Sequence, residues 1–491
     1  KKKYKPNGQL ERRKARLVAR GFAQSPGIDY VETFSPVAKL STIRYMMALA
    51  AEKNLKLYHL DVSTAYLNGE IDKTIYMEPP ESLEEHLRDI MIDESENQNQ
   101  TIFNKAKKML EDLKKNNNKK VCLLQKSLYG LKQAGRCWFM KLNEKLKELG
   151  FKTSYADPCL YVAESGGDRI LISVYVDDLI CLSTNQAKLM SIKKNLMKTF
   201  KMRDLGELSY CLGIEVKRDG DAIYASQTKY IEDMIQKFKM QDCNPVTTPM
   251  VTGLKLEKCT NQDEGKNLPY QSLIGSLMYL AVATRPDISH AVSFLSQFNS
   301  CHGQEHWLAA KRVLRYLQGT KHIGLKYSKH GRALHGYTDA DWASCQIDRR
   351  SYTGYCFKYA NAAISWESRK QRTVALATTH AEYMALTDAA KEAIHLKLLV
   401  KESGYPVTGP IIIYNDNESA ENLSKNNVVS SRSKHIAVRE HFIRETIQQG
   451  EIDVIHVPSG EMDADILTKA LPGPLFTKFR QRLGLVSVQS S

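Results

Sequence analysis

Two adjacent aspartates, Asp177-Asp178, interrupt an otherwise apolar run of β-compatible side chains, with residues 170–176 leading in and residues 179–182 leading out. The pattern predicts a hairpin with both acids at its tip. Neighbouring carboxylates repel one another and are costly to take out of water, so an apolar hairpin that carries them calls for a compensating positive charge. An isolated Asp-Asp pair is also an ordinary turn former. What moves the balance is a second strand: residues 57–60 are β-compatible and deliver Asp61 at their end, ahead of the turn formers Asn68-Gly69. Three carboxylates on two strands suit a pair of divalent cations roughly 4 Å apart. Mg²⁺ fits such hard oxygen ligands, and Mn²⁺ suits the same set.

A second constellation lies in the last third of the chain. Tyr337-Thr338-Asp339 brings an acid to the end of a strand, with Asp341 close behind, and Thr379-His380-Ala381-Glu382 opens a helix with Glu382 in its first turn. The apolar stripe of that helix is Ala385, Ala389, Ala393, Leu396 and Val400. Residues 411–414 form a continuous apolar run typical of a central strand, followed by Asp416, and residues 452–457 form another strand before a helix begins at Asp463-Ala464-Asp465. Each acid alone is an ordinary cap or turn residue. Together, Asp339, Glu382, Asp416 and Asp465 are what a second two-metal site requires, and Asp463 rivals Asp465 for the last place.

Composition sets the frame. A chain of 491 residues with 42% hydrophobic content is too long for one core. Lys+Arg 70 against Asp+Glu 55 leaves a formal charge of +15, which favours a polyanionic partner. Ten cysteines without a Cys-x-x-Cys pair exclude a zinc ribbon and a disulfide framework. The apolar runs are far too short for a bilayer span, so no membrane partner is expected. The basic start, residues 1–20, alternates around Leu17 and Val18 like a strand with one charged face, and its opening without methionine is read as a piece of a longer precursor. Residues 82–120 read as a helical or mobile surface insertion without chemistry, residues 139–149 as a helix, and residues 270–280 and 307–317 as amphipathic helices. Asn244-Pro245 and Pro249 mark a boundary, and after Gly331 the texture becomes that of an α/β domain.

The motifs carry a resemblance. Tyr175-Val176-Asp177-Asp178 resembles the Tyr-x-Asp-Asp box of reverse transcriptases, and Leu60-Asp61-Val62-Ser63-Thr64-Ala65-Tyr66-Leu67-Asn68-Gly69 resembles their first catalytic motif in its copia form. Lys14-Ala15-Arg16-Leu17-Val18-Ala19-Arg20-Gly21-Phe22 and the segment from Ser127 through Gly130 to Trp138 are similar to further copia-class segments, and the four late acids resemble the RNase H domain of the same elements. The chain is thus similar to the reverse transcriptase and RNase H region of a copia-class LTR retrotransposon Pol polyprotein.

That resemblance implies an α+β polymerase right hand of palm, fingers and thumb followed by an α/β RNase H-like domain. The expected ranges are 1–245 for fingers and palm, 246–330 for thumb or connection, and 331–491 for RNase H. It implies RNA-directed DNA synthesis with degradation of the RNA strand, two Mg²⁺ per site, and Asp61, Asp177 and Asp178 as ligands of the first pair. Tyr66 would sit under the sugar of the incoming nucleotide and exclude a 2′-hydroxyl. Lys14 and Arg20 are favoured for triphosphate contact, Arg16 being equally well a solvated residue, and Gly130 would let the backbone approach nucleotide and template. Leu212-Gly213 would occupy the primer-gripping turn. The implied partners are RNA template, DNA primer, RNA–DNA hybrid, dNTPs and other Pol products such as integrase. The implied location is cytoplasmic virus-like particles, with later nuclear entry of the DNA complex.

Two features depart from the family pattern. Many RNases H carry a histidine just before the last acid, but residues 457–462 have none, and His456 precedes the proline. His435 and His441 lie in a basic segment and are expected to serve structure ahead of substrate contact. The fingers also start too late to include their usual first strand. The competing reading is a catalytically impaired relic that binds nucleic acid on the same fold; a relic is expected to have lost carboxylates, and all seven are present.

Overall fold

The computed structural model describes residues 2–4, 10–13, 16–96, 99–114, 121–425 and 437–488. The chain divides into two compact units, one made of Lys1–Pro36, Val62–Gly150 and Lys194–Arg203, the other of Val37–Asp61, Phe151–Lys193 and Asp204–Ser491.

In the first unit, residues 82–120 are largely helical, as Leu83–Glu96 and Gln100–Lys114, and the two helices share a small core of Leu87, Ala106 and Leu110. The helix expected at 139–149 spans Ala134–Glu148 and buries Ala134, Trp138, Leu142 and Leu146, so its core face begins at Ala134 and not at Phe139. The Trp138 ring meets Phe200 edge-on at 5.2 Å. The basic start differs from expectation. Strands Lys2–Tyr4 and Leu10–Arg13 form a hairpin, but Leu17 and Val18 lie outside any strand and are exposed. Among the described residues no sheet strand pairs with their short segment, so their apolar character does not lead to burial.

The second unit holds three sheets. The first has the order Met202–Glu207, Leu57–Val62, Asp178–Ser183, Asp168–Tyr175, Leu160–Ser165, Lys152–Thr153. The expected hairpin is present: Tyr175 pairs with Asp178 across a two-residue turn, in which Val176 has φ 56°. A β-branched residue in the left-handed region is strained, and such strain is retained only where surrounding structure over-determines it. Here four neighbouring strands do so. The second sheet runs Tyr210–Cys211, Ile214–Asp219, Ala222–Ser226, Ile323–Tyr327, Leu485–Ser487. Its last strand arrives from the end of the chain, beyond what local periodicity could reveal.

The third sheet has the order Ala362–Lys370, Tyr352–Tyr359, His335–Asp341, Ile411–Asn415, Ile452–His456. The first three strands are successively antiparallel to one another, whereas His335–Asp341, Ile411–Asn415 and Ile452–His456 run parallel. The long helix Thr378–Glu402 buries its predicted stripe of Ala385, Ala389, Ala393, Leu396 and Val400. Glu382 is its fifth residue, one position past the first turn expected for it. The helix expected to begin at Asp463 is a short 3₁₀ helix, Asp463–Leu467.

Helix Leu40–Glu52 links the first and third sheets. It is buried from Thr42 to Ala51 and carries a buried cation, Arg44. The guanidinium donates to the carbonyls of Ile364 (2.7 Å), Val282 (2.7 Å) and Ala283 (2.9 Å), and stacks on Trp366 at 3.9 Å. Burial pulls its pKa down to about 10, which leaves it charged at neutral pH. Close by, Glu402 at the end of the long helix accepts from Ser154 Oγ (2.6 Å) and from the backbone N–H of Tyr155 (2.9 Å) and Ala156 (3.1 Å). Removing the Arg44 head takes this donor from the buried carbonyls of Ile364 and Ala283 and the partly buried carbonyl of Val282, a buried one left unpaired costing about 1–3 kcal/mol. Arg44→Met is expected to lower stability by roughly 3 kcal/mol in chemical denaturation of the full chain. A loss near zero contradicts the role.

Candidate active sites

The first constellation gathers at one end of the first sheet. Asp61 pairs in register with Asp178, and Asp177 occupies the turn beside it. His59, two residues before Asp61 and therefore on the same strand face, is buried, and its Nε2 lies 2.7 Å from Asp178 Oδ1. The imidazole thereby fixes one oxygen of Asp178. The Leu212-Gly213 turn has positive φ at both residues, as a tight hairpin requires. Cys211 next to it lies near Asp178: burial pushes its thiol up to about 12, and the Asp178 charge adds to the shift.

The nucleotide-binding candidates belong to the first unit. The half-buried Tyr66 ring packs on Tyr129 at 5.0 Å, and the Arg16 guanidinium lies over the other ring of this pair, 4.8 Å from the Tyr129 centroid. Arg20 is exposed and forms an ion pair with Glu81. Gly130 has φ 94°, and a side chain there would collide with the backbone of Ala19, whose N–H donates to Tyr129 O at 2.7 Å. Contact between two backbone segments thus already demands this glycine. Lys14 lies outside the described residues.

The second constellation is tighter. Asp339, Glu382 and Asp416 each offer an oxygen within 4.8 Å of the others, and no other such trio of acids, histidines or cysteines occurs among the described residues. The parallel pairing of His335–Asp341 with Ile411–Asn415 carries Asp339 and Asp416 to the same sheet end. Asn415 Nδ2 donates to Glu382 Oε2 and to Thr338 O, both at 3.1 Å, which fixes the glutamate against the sheet. Ser459 donates to Asp416 Oδ2 at 2.7 Å from the loop where the family's histidine is absent. His456 is half-buried at the end of its strand, His441 is exposed on helix Ala437–Gln448, and His435 lies outside the described residues.

The rival acids separate cleanly. Asp463 is fully buried and pairs with Lys358 (3.0 Å) and Arg482, away from the trio. Asp465 faces Lys469, whose Nζ lies 3.0 Å from Asp465 Oδ1 and 3.5 Å from Asp339 Oδ2. Gly354 makes this possible: it pairs with Asp339, and a Cβ on it would come within 2.8 Å of Leu467 and Thr468, so its absence lets the Asp463–Leu467 turn press onto the sheet. Thr468 donates to Asp339 Oδ2. Lys469, Asn415, Ser459 and His59 were not singled out from the sequence. For Lys469 a signal existed, its i,i+4 spacing from Asp465.

The comparisons with known proteins follow this geometry. A family model described as reverse transcriptase (RNA-dependent DNA polymerase) matches residues 1–91 and 97–252. The Pol polyprotein of transposon TNT 1-94 from Nicotiana tabacum is 40% identical over 99% of this chain and 35% of its own length. That of transposon RE1 from Arabidopsis thaliana is 38% identical over 100% of this chain and 31% of its own. The chain belongs to the copia-class reverse transcriptase family. It spans about a third of the length of these polyprotein relatives. Asp61, Asp177 and Asp178 of this reverse transcriptase family member fall inside the matched region, and the late acids lie beyond it. Among solved structures, RNase H1 from Halobacterium salinarum NRC-1 aligns with 28% of this chain and 93% of its own, at 17% identity and a TM-score of 0.22.

Burial raises the carboxyl pKa values of Asp339 and Glu382, in Glu382 with the charges of Asp339 and Asp416 adding, and it pushes Asp465 up to about 7 with Asp339 adding and Lys469 opposing. In the unfolded chain such groups titrate near 4. The folded state therefore binds more protons between about pH 4 and about pH 7, and stability without divalent cations falls as pH rises through that window. A divalent cation competes with those protons, so its stabilising effect grows with pH. Mg²⁺ is expected to raise the thermal midpoint little at about pH 5.5 and by several degrees at about pH 8, and Asp339→Asn is expected to flatten the difference. An equal Mg²⁺ effect at both pH values contradicts this.

Proposed function

We propose that this chain copies RNA into DNA and degrades the RNA strand of the resulting hybrid, with a two-metal site for each reaction. The observation that carries the reading is the meeting of Asp61 with Asp178 across neighbouring strands, beside Asp177 in a strained turn, within the region matched by the reverse transcriptase family.

In this reading, Asp61, Asp177 and Asp178 hold Mg²⁺ in the polymerase palm, His59 orients Asp178, and Tyr66 excludes nucleotides with a 2′-hydroxyl. Bound Mg²⁺ supplies a more nucleophilic oxygen and neutralises charge developing on phosphate. Residues 37–61, 151–193 and the early part of 204–245 form the palm, and the first unit supplies the fingers. Residues 246–330 form the thumb or connection. Lys14 and Arg20 meet the triphosphate, Arg20 exchanging Glu81 for phosphate oxygens, which Arg can grip through two parallel donors. Gly130 lies along the nucleotide path.

Asp339, Glu382, Asp416 and Asp465 hold Mg²⁺ for cleavage of the RNA strand, with Mn²⁺ able to replace it. Asn415 restricts Glu382, and Ser459 fixes the rotamer of Asp416. Basic surface holds the hybrid mainly through its backbone and shape. The same reading gives RNA template, DNA primer and dNTPs as substrates, integrase as a companion from the same precursor, and virus-like particles in the cytoplasm as the setting. The relic alternative has no supporting observation, since every carboxylate the chemistry needs is present.

Asp177→Asn is expected to abolish extension of a DNA primer on an RNA template and to spare cleavage of a preformed hybrid. Glu382→Gln is expected to do the reverse, with losses of at least about a hundredfold. Primer extension left intact by Asp177→Asn would sink the palm assignment. Replacing Tyr66 with Ala is expected to raise the ratio of ribonucleotide to deoxyribonucleotide incorporation, scored by single-nucleotide extension; an unchanged ratio removes its role.

A further inference from the structure

The nuclease acids are not used evenly. Asp339, Glu382 and Asp416 converge within 4.8 Å, and Asp465 stands outside that trio. Its oxygen is engaged by Lys469 at 3.0 Å, and the same ammonium reaches Asp339 Oδ2 at 3.5 Å. A cation therefore already bridges the two acids on one side of the site. Lys469 also lines a neighbouring cavity of about 240 Å³, together with Asp341, His290 and Tyr352. Two of its lining residues carry buried polar atoms, His290 Nδ1 and the Tyr352 hydroxyl, without a hydrogen-bond partner among the described residues. Asp341 is half-buried, accepts from Ser344, and feels the charge of Lys469.

We propose that Lys469 is a built-in cation of the nuclease site, holding the place of a second divalent ion between Asp339 and Asp465 and yielding it by swinging into the adjacent cavity onto Asp341. This rests on the nuclease reading above. An ammonium and a divalent ion cannot share those two oxygens, because like charges a few ångströms apart in a half-buried site repel strongly. The trio accepts one ion with Lys469 in place, and the second ion enters only as the lysine leaves. The flexible four-carbon stem of lysine permits that movement, and its point charge exchanges one carboxylate for another at small geometric cost. Lys469 is thus a positioning residue that sets how many ions the site holds and at what concentration.

The test is Mn²⁺ binding to the full chain, counted by electron paramagnetic resonance and calorimetry in an Asp177→Asn background and read as differences between variants. Lys469→Met is expected to bind one more ion than the parent, or to bind its last ion roughly tenfold more tightly; Lys469→Arg is expected to match the parent. An unchanged count and affinity in Lys469→Met overturns the proposal. Asp341→Asn, which removes the acceptor for the displaced lysine, is expected to raise the Mn²⁺ concentration for the second ion severalfold, and an unchanged requirement overturns the swing. An Asp339→Asn variant that loses no Mn²⁺ relative to the parent overturns the nuclease reading itself, whereas loss of an ion there with no effect of Lys469→Met overturns only the role of Lys469.

Discussion

Repulsion among gathered carboxylates is the constraint around which this chain is organised. Acids from separate strands meet at two sheet ends, and in the late cluster burial together with neighbouring carboxylates disfavours ionisation of Asp339, Glu382 and Asp465. The fold answers with local counter-groups: His59 at Asp178, and Lys469, Thr468 and Asn415 among the late acids. These are partial answers. Burial is the main cause that raises the pKa values of Asp339, Glu382 and Asp465, and neighbouring carboxylates add to it. A divalent cation, in the proposed chemistry, would offset both.

Rigidity is what makes such an arrangement tolerable. The strained turn at Val176 is pinned between paired strands, and the Asp463–Leu467 turn is pressed onto the sheet at Gly354. Arg44 and Glu402 clamp the helix Leu40–Glu52, the first sheet and the third sheet into one unit through hydrogen bonds to backbone groups. Backbone contacts of this kind do not depend on the partner side chain. They hold the two sheet ends, and with them the two acid clusters, in a framework that binding of cations need not rebuild.

Much of this was legible in the sequence, for identifiable reasons. β-compatible and apolar runs that end in acids revealed the hairpin at Asp177-Asp178, the strand before Asp61 and the central strand before Asp416, because composition is local. The alanine stripe of Thr378–Glu402 was equally local. What escaped detection depends on neighbours distant in sequence. Leu485–Ser487 joins a sheet whose other strands lie far earlier, and His59 acquires meaning only once its strand is known to lie beside Asp178. Asp463 remained a rival of the preferred Asp465 because the choice turns on local helix geometry. In a 3₁₀ segment, residues two apart point to different sides, so one meets Lys358 and Arg482 while the other meets Lys469. Leu17 and Val18 misled for the opposite reason: a local pattern was present, but no strand was there to pair with it.

The family membership, the strand register at Asp61 and Asp178, and the tight trio at Asp339, Glu382 and Asp416 support the proposal of a chain that builds one strand and removes another. The most direct test follows both strands at once: a labelled DNA primer annealed to a separately labelled RNA template, incubated with the unaltered chain, dNTPs and Mg²⁺. The account predicts that the DNA lengthens and the RNA behind it shortens. A chain that binds the primed template yet leaves the primer at its starting length would contradict it.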